Sequence, residues 1–296
     1  MKKNYWLMAA LLFLASACES HKKTESVPVL AVAQHEAHMT ETSHEVDLLK
    51  LFSPYIKGVW VKADYIAEVR KTKSPLAAFA KVGEISTVLI DPSKAVGDSL
   101  EVGFSLGNHE GGSFQLLFRP GSRQKFLQTN YPDYEHTGQA KELGFQVVGK
   151  DTFLLIETLN KNKELLRSDK YVKAFTSQSE EDDASSGLDY LVRKNLIAGT
   201  YGYRDIKGKS MKVDFTSSGG VKGFPGFKSY TVITDFAVAI ENNLDVLIFN
   251  YDEENQKSFA YTIKADTLHL FDYYLGKDSL HLVEGALKYK LIRIAK

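Results

Sequence analysis

Ser105 stands in Gly103-Phe104-Ser105-Leu106-Gly107, the Gly-x-Ser-x-Gly spacing of a nucleophile elbow. That spacing works where a sharp strand-to-helix turn lifts the serine and aims a helix N-terminus at the oxyanion. Here Leu100, Val102, Phe104 and Leu106 alternate with small or polar residues, which puts Ser105 inside a half-buried strand. The residues that follow, Asn108 to Gly112, are turn chemistry rather than a helix start, so no elbow is expected. His109 and Glu110 set an imidazole beside a carboxylate, the ingredients of a general acid–base pair, yet neighbours in a turn usually point apart. The run Tyr131-Pro132-Asp133-Tyr134-Glu135-His136 collects ring side chains and acids in one loop. Such a surface stacks on sugar faces or apolar molecules while its carboxylates accept hydroxyl hydrogen bonds. Tyr131, Asp133, Tyr134 and His136 are therefore the expected ligand contacts, against the plainer reading of a loop capping a barrel mouth.

Metal and cofactor chemistry have little support. His35, His38 and His44 have spacing that would bring two imidazoles onto one helical face, but no third ligand or ordering environment accompanies them. There is no His-Glu-x-x-His, Walker loop, dinucleotide glycine fingerprint or Asp-rich calcium loop. Asp182 and Asp183 fall in an acidic stretch rather than in two converging strands, so they are not a glycosidase pair. No catalytic residue, metal or cofactor is expected.

The elements that would position these groups are mostly strands. After Pro54 the sequence runs in short alternating segments: 56–61, 84–90, 100–106, 113–119, 145–148, 152–158 and 164–175. Helical patterns at 64–71 and after Ser74-Pro75 interrupt them. The acidic, polar segment 177–187 reads as a linker, followed by a helix over 188–196 and a second β-rich half with seven further strands. Regular strand spacing with short turns predicts antiparallel meanders, closed as barrels or folded as sandwiches. Tyr55-Ile56-Lys57-Gly58-Val59-Trp60 and Leu196-Ile197-Ala198-Gly199-Thr200-Tyr201 each place an apolar pair, then Gly, any residue and an aromatic at the opening of a β segment. Two modules of similar plan follow from that echo.

The chain has 296 residues, 37 basic and 37 acidic, which offers no electrostatic reason for a nucleic-acid partner. Lys2 and Lys3, the apolar run Tyr5 to Leu14 and the small residues Ala15-Ser16-Ala17 form a secretory leader over residues 1–17. Cys18 is the sole cysteine. Leu14-Ala15-Ser16-Ala17-Cys18 resembles the lipobox of bacterial lipoproteins, with Ala15 where Leu or Val is commoner. The resemblance implies lipidation at Cys18, attachment to the bacterial cell envelope, with the outer membrane expected, and a polar tether over 18–46.

Gly58-Val59-Trp60 resembles the Gly-x-Trp opening of lipocalins and of lipocalin-like domains in envelope lipoproteins. The resemblance implies that Trp60 closes one end of a barrel in the first module (47–176) and that a basic residue of the last strand stacks across it. In the second module (188–296) the same roles would go to Tyr201 and Arg293. Thr234-Asp235-Phe236 echoes a second lipocalin signature but arrives too soon after Gly199 to carry weight. The expected fold is mainly β, two lipocalin-like antiparallel meander barrels with short helices at their openings. The expected role is non-catalytic binding of a small apolar or amphipathic molecule or a glycan. The alternatives are an assembly subunit contacting another envelope protein and, last, a hydrolase with dispersed acids.

Overall fold

The computed structural model of the chain describes residues 47–294, apart from 108, 132–137, 177–182, 206 and 237–242. Cys18, His35, His38, His44, Asp133, Tyr134, His136 and Asp182 lie outside the described residues.

The first half opens with helix α1 (Leu48–Ile56) and strand β1 (Gly58–Lys62), followed by helices α2 (Ala63–Thr72) and α3 (Pro75–Ala78). Strands β2 (Ile85–Ile90), β3 (Ser99–Leu106), β4 (Glu110–Pro120), β5 (Phe126–Thr129), β6 (Ala140–Val148), β7 (Asp151–Leu159) and β8 (Leu165–Phe175) complete it. Each strand pairs antiparallel with the next, and β1 pairs with β8, so the eight close into a barrel. Alternation explains the inward face: Trp60, Val102, Leu116, Leu143, Ile156 and Tyr171 share one buried core.

The second half repeats the plan. Helix α4 (Ser186–Leu196) leads into β9 (Gly199–Arg204), β10 (Ser210–Phe215), β11 (Val221–Lys222) and β12 (Tyr230–Val232), then β13 (Val246–Phe249), β14 (Lys257–Lys264), β15 (Thr267–Leu275) and β16 (Leu282–Arg293). The sheet order is β11-β10-β9-β16-β15-β14-β13-β12, first strand against last as in the barrel. Its two short edge strands, β11 and β12, are drawn together by the bridge Gly220↔Ser229. Aromatic rings fill the inside, with Phe215, Phe224, Phe249 and Phe259 in mutual edge and tilted contact.

Several boundaries differ from the sequence reading. Residues 48–56 form a helix, where a strand was expected from Ile56. Leu48, Phe52 and Ile56 repeat at helical spacing, and Phe52 and Ile56 are buried against the barrel end, which outweighs Pro54 within the helix. The expected 177–187 linker ends early. Asp183 accepts the Ser186 amide at the start of α4, and Gly187 is already buried within that helix. The strand expected over 229–236 is paired only at 230–232. Helix α2 carries Tyr65, Ile66 and Val69 into the same buried cluster as α4 and the second sheet, so the halves share a core across their junction.

Candidate functional site

Each half is stoppered at one end by the same device. Gly58 and Gly199 have φ of +131° and +149°, and a side chain on either would strike the Phe175 carbonyl or the Arg293 guanidinium. Two residues on, the indole Nε1 of Trp60 donates to the Ile56 carbonyl at 2.7 Å, and the Tyr201 hydroxyl donates to the Ile197 carbonyl at 2.7 Å. Both acceptors lie four residues back, at the end of the preceding helix, where carbonyls lack helical partners. Lys173 sits opposite Trp60 in the β1–β8 register, with its ammonium 4.6 Å from the ring centroid. Arg293 sits opposite Tyr201 in the β16–β9 register, with its guanidinium 4.8 Å from that ring. Arg293 also donates to the Leu196 and Ala198 carbonyls at 2.9 and 2.7 Å and to the Tyr201 hydroxyl. Burial raises the Tyr201 pKa to about 12 against the opposing pull of Arg293. Burial likewise lowers the Lys173 ammonium. Lys173 was missed in the sequence; its alternation with Tyr171 near the end of the last strand is the signal that would have found it.

The opposite, inward-facing rim of the first barrel is charged. Glu84 accepts from the Tyr131 hydroxyl at 2.7 Å and lies 3.2 Å from both Lys141 Nζ and Arg167 Nη2. Asp169 takes Arg167 Nε at 2.9 Å and pairs with Lys62. Burial works to raise the Glu84 carboxyl, but the Tyr131, Lys141 and Arg167 contacts outweigh it and hold the pKa below the ordinary value. Lys141, Thr158 and Arg167 are successive cross-strand neighbours, and the buried Thr158 hydroxyl has no hydrogen-bond partner. Tyr131 packs against Phe104 and Phe114, and Lys141 lies 4.8 Å over its ring. Of the expected ligand loop, then, Tyr131 is engaged at this rim, and the other members lie outside the described residues.

The other residues singled out in the sequence lie apart from this rim. Ser105 is buried in mid-strand, and its carbonyl accepts from Ser86, with no elbow turn. His109 pairs through Nδ1 with Asp235 of the second half at 2.7 Å. That contact raises the imidazole pKa. At the junction, Asp189 accepts from Thr234 at 2.9 Å and Asp245 from the Leu76 amide at 3.0 Å. Burial raises both carboxyls. Among the described residues no group of three or more His, Cys, Asp or Glu is placed to hold a metal ion.

Apart from Tyr251 in the β13–β14 turn, the exposed large apolar side chains of the second half lie on the β15–β16 hairpin and the chain after it, among them Tyr274, Leu275, Leu280, Leu287, Ile292 and Ile294. Beside them, a cleft of about 600 Å³ runs between β9 and β16. A second apolar cleft, about 620 Å³, lies between α1 and the β5–β6 region, where Tyr55 stacks on Phe145 at 4.2 Å. No protein-family model matches the chain, and no curated protein matches it significantly.

Proposed function

We propose that this chain is a non-catalytic envelope lipoprotein, anchored through Cys18, that holds another envelope protein on its second module. The observation that carries the reading is the β15–β16 hairpin, which concentrates exposed apolar side chains beside an open cleft. Single exposed apolar residues are ordinary, whereas several concentrated on one hairpin mark an interaction surface. The interior of the closed barrel and the inner face of the second sheet are occupied by their own side chains, which favours a surface role over ligand storage in a lumen. The lipobox-like Leu14 to Cys18 sequence supports the anchor.

The test is photo-crosslinking in intact cells from Tyr274 and Leu280, with Val96 on the first half, 79% exposed, as the comparison. A discrete crosslinked protein from the hairpin sites and none from Val96 is the expected result. Equal or absent crosslinking at all three positions would sink the reading. In parallel, Cys18→Ser is expected to release the chain from the membrane fraction.

A second reading, capture of a small polar or amphipathic molecule at the rim of the first barrel, is favoured by the unpartnered Thr158 hydroxyl between Lys141 and Arg167. Native mass spectrometry of the purified chain tests it: a releasable added mass lost in Thr158→Val is expected, and a clean mass in both forms ends it.

A further inference from the structure

The first-to-last strand seam is paired differently in the two halves. In the first barrel β1 and β8 pair at four positions, from Val59↔Phe175 to Lys62↔Tyr171. In the second, β9 and β16 pair at Gly202↔Ile292 and Tyr201↔Arg293, with the Ile294 amide donating to the Thr200 carbonyl at 2.8 Å, and they part on the other side of Gly202. The cause lies on β16. Its pairing with β15 slips at Leu270/Phe271 and again at Phe271/Tyr273, and extra residues of this kind bend and twist the bulged strand. On the N-terminal side of Ile292, β16 therefore has β15 along one edge and no paired strand along the other, and Tyr203 and Arg204 of β9 have β10 alone. Unpaired strand edges are templates for another chain, and natural proteins normally cover them.

From this geometry we infer that the β9–β16 gap accepts one extended segment of a partner protein as an added strand, with apolar residues alternating with acidic ones. The inference rests on the protein-binding reading above and specifies its mode. Alternation follows from what lines the gap. Tyr203 and Met211 are paired neighbours on the lumen side and would meet one face of the segment with apolar surface. Arg204 and Lys290 are exposed on the outer side, Lys288 beside them is paired with Asp272 at 2.7 Å, and no acidic residue is among the residues that line the cleft. Main-chain hydrogen bonds to both open edges would supply affinity, and the alternating side chains specificity.

The test uses the full chain in nanodiscs and fluorescent eight-residue peptides of alternating Val–Glu or Val–Lys, read by anisotropy with empty nanodiscs as blank. The Val–Glu peptide is expected to bind at least about tenfold tighter than Val–Lys, a discrimination of the size that opposed charges give. N-methylation of alternate amides should abolish binding, because an added strand needs its N–H groups. The double variant Arg204→Glu/Lys290→Glu is expected to reverse the preference, an outcome that mere unfolding cannot produce. Equal binding of the two peptides, survival of binding after N-methylation, or no binding at all would overturn the inference. So would a dimer of the chain crosslinked from Ile292 to Ile292, since the seam would then hold a second copy. Hairpin crosslinks in cells without peptide binding would leave the protein-binding reading standing and remove strand addition alone.

Discussion

The two stoppers use one geometry but differ in how much the basic residue is asked to do. In the first barrel Lys173 lies over Trp60 as a point charge beside a seam that four strand pairs already close. In the second, Arg293 bonds more: its fork holds the Leu196 and Ala198 carbonyls and the Tyr201 hydroxyl on a seam that keeps two paired positions and one Ile294-to-Thr200 hydrogen bond. A planar guanidinium can satisfy several acceptors at once, which an ammonium on a flexible stem does less well. The lesson is that a repeat can keep its plug while releasing its seam, provided the plug takes over the bonding. The released seam is then open for another use.

Breaking each plug in turn probes this contrast most directly. Trp60→Ala is expected to cost about 3–5 kcal/mol in urea unfolding, as for a large core aromatic with a lost hydrogen bond. A loss under about 1 kcal/mol would show that the ring is not what closes the barrel. Next in size, Arg293→Met should cost about 2–3 kcal/mol by stranding part-buried carbonyls, and Lys173→Met no more than about 1 kcal/mol, the scale of a cation–π contact. Equal losses would erase the distinction between the stoppers.

The junction offers smaller effects. Because burial raises the Asp189 carboxyl, this group favours the fold below the ordinary carboxylate pKa, and that advantage is lost as pH rises through its raised value. Asp189→Asn, which keeps an acceptor for Thr234, should therefore raise the urea midpoint at neutral pH and do so less in acid. A gain that grows in acid would refute the assignment. The smallest effect belongs to His109, raised by its bond to Asp235. Its contribution is present below the ordinary imidazole pKa and disappears as pH rises through the raised one. His109→Gln should thus lower stability slightly in mild acid and leave it unchanged in mild base.

Much of the fold was legible because alternation and turn residues are local. Leu100 to Leu106 is the strand that its pattern describes, and Ser74-Pro75 caps a short helix. The echo of Gly58-Val59-Trp60 in Gly199-Thr200-Tyr201 marked the opening strands of the barrel and of the second sheet because both the φ of the glycine and the reach of the aromatic are properties of a few consecutive residues. Helix α1 was misread because what holds it is burial of Phe52 and Ile56 against strands far along the chain. Lys173, 113 residues beyond Trp60, could be matched to it only by register.

The sequence by itself determined the mainly β plan and the pair of related opening strands, since each depends on residue type and short spacing. Tertiary structure alone decided that Glu84, Lys141, Thr158, Arg167 and Asp169 share one rim, that His109 meets Asp235 rather than Glu110, and that one seam closes while the other parts. Those outcomes turn on which strands pair and where a bulge shifts the register. A one-residue slip moves every later side chain to the other face, and that choice is made by the whole barrel rather than by any segment of it.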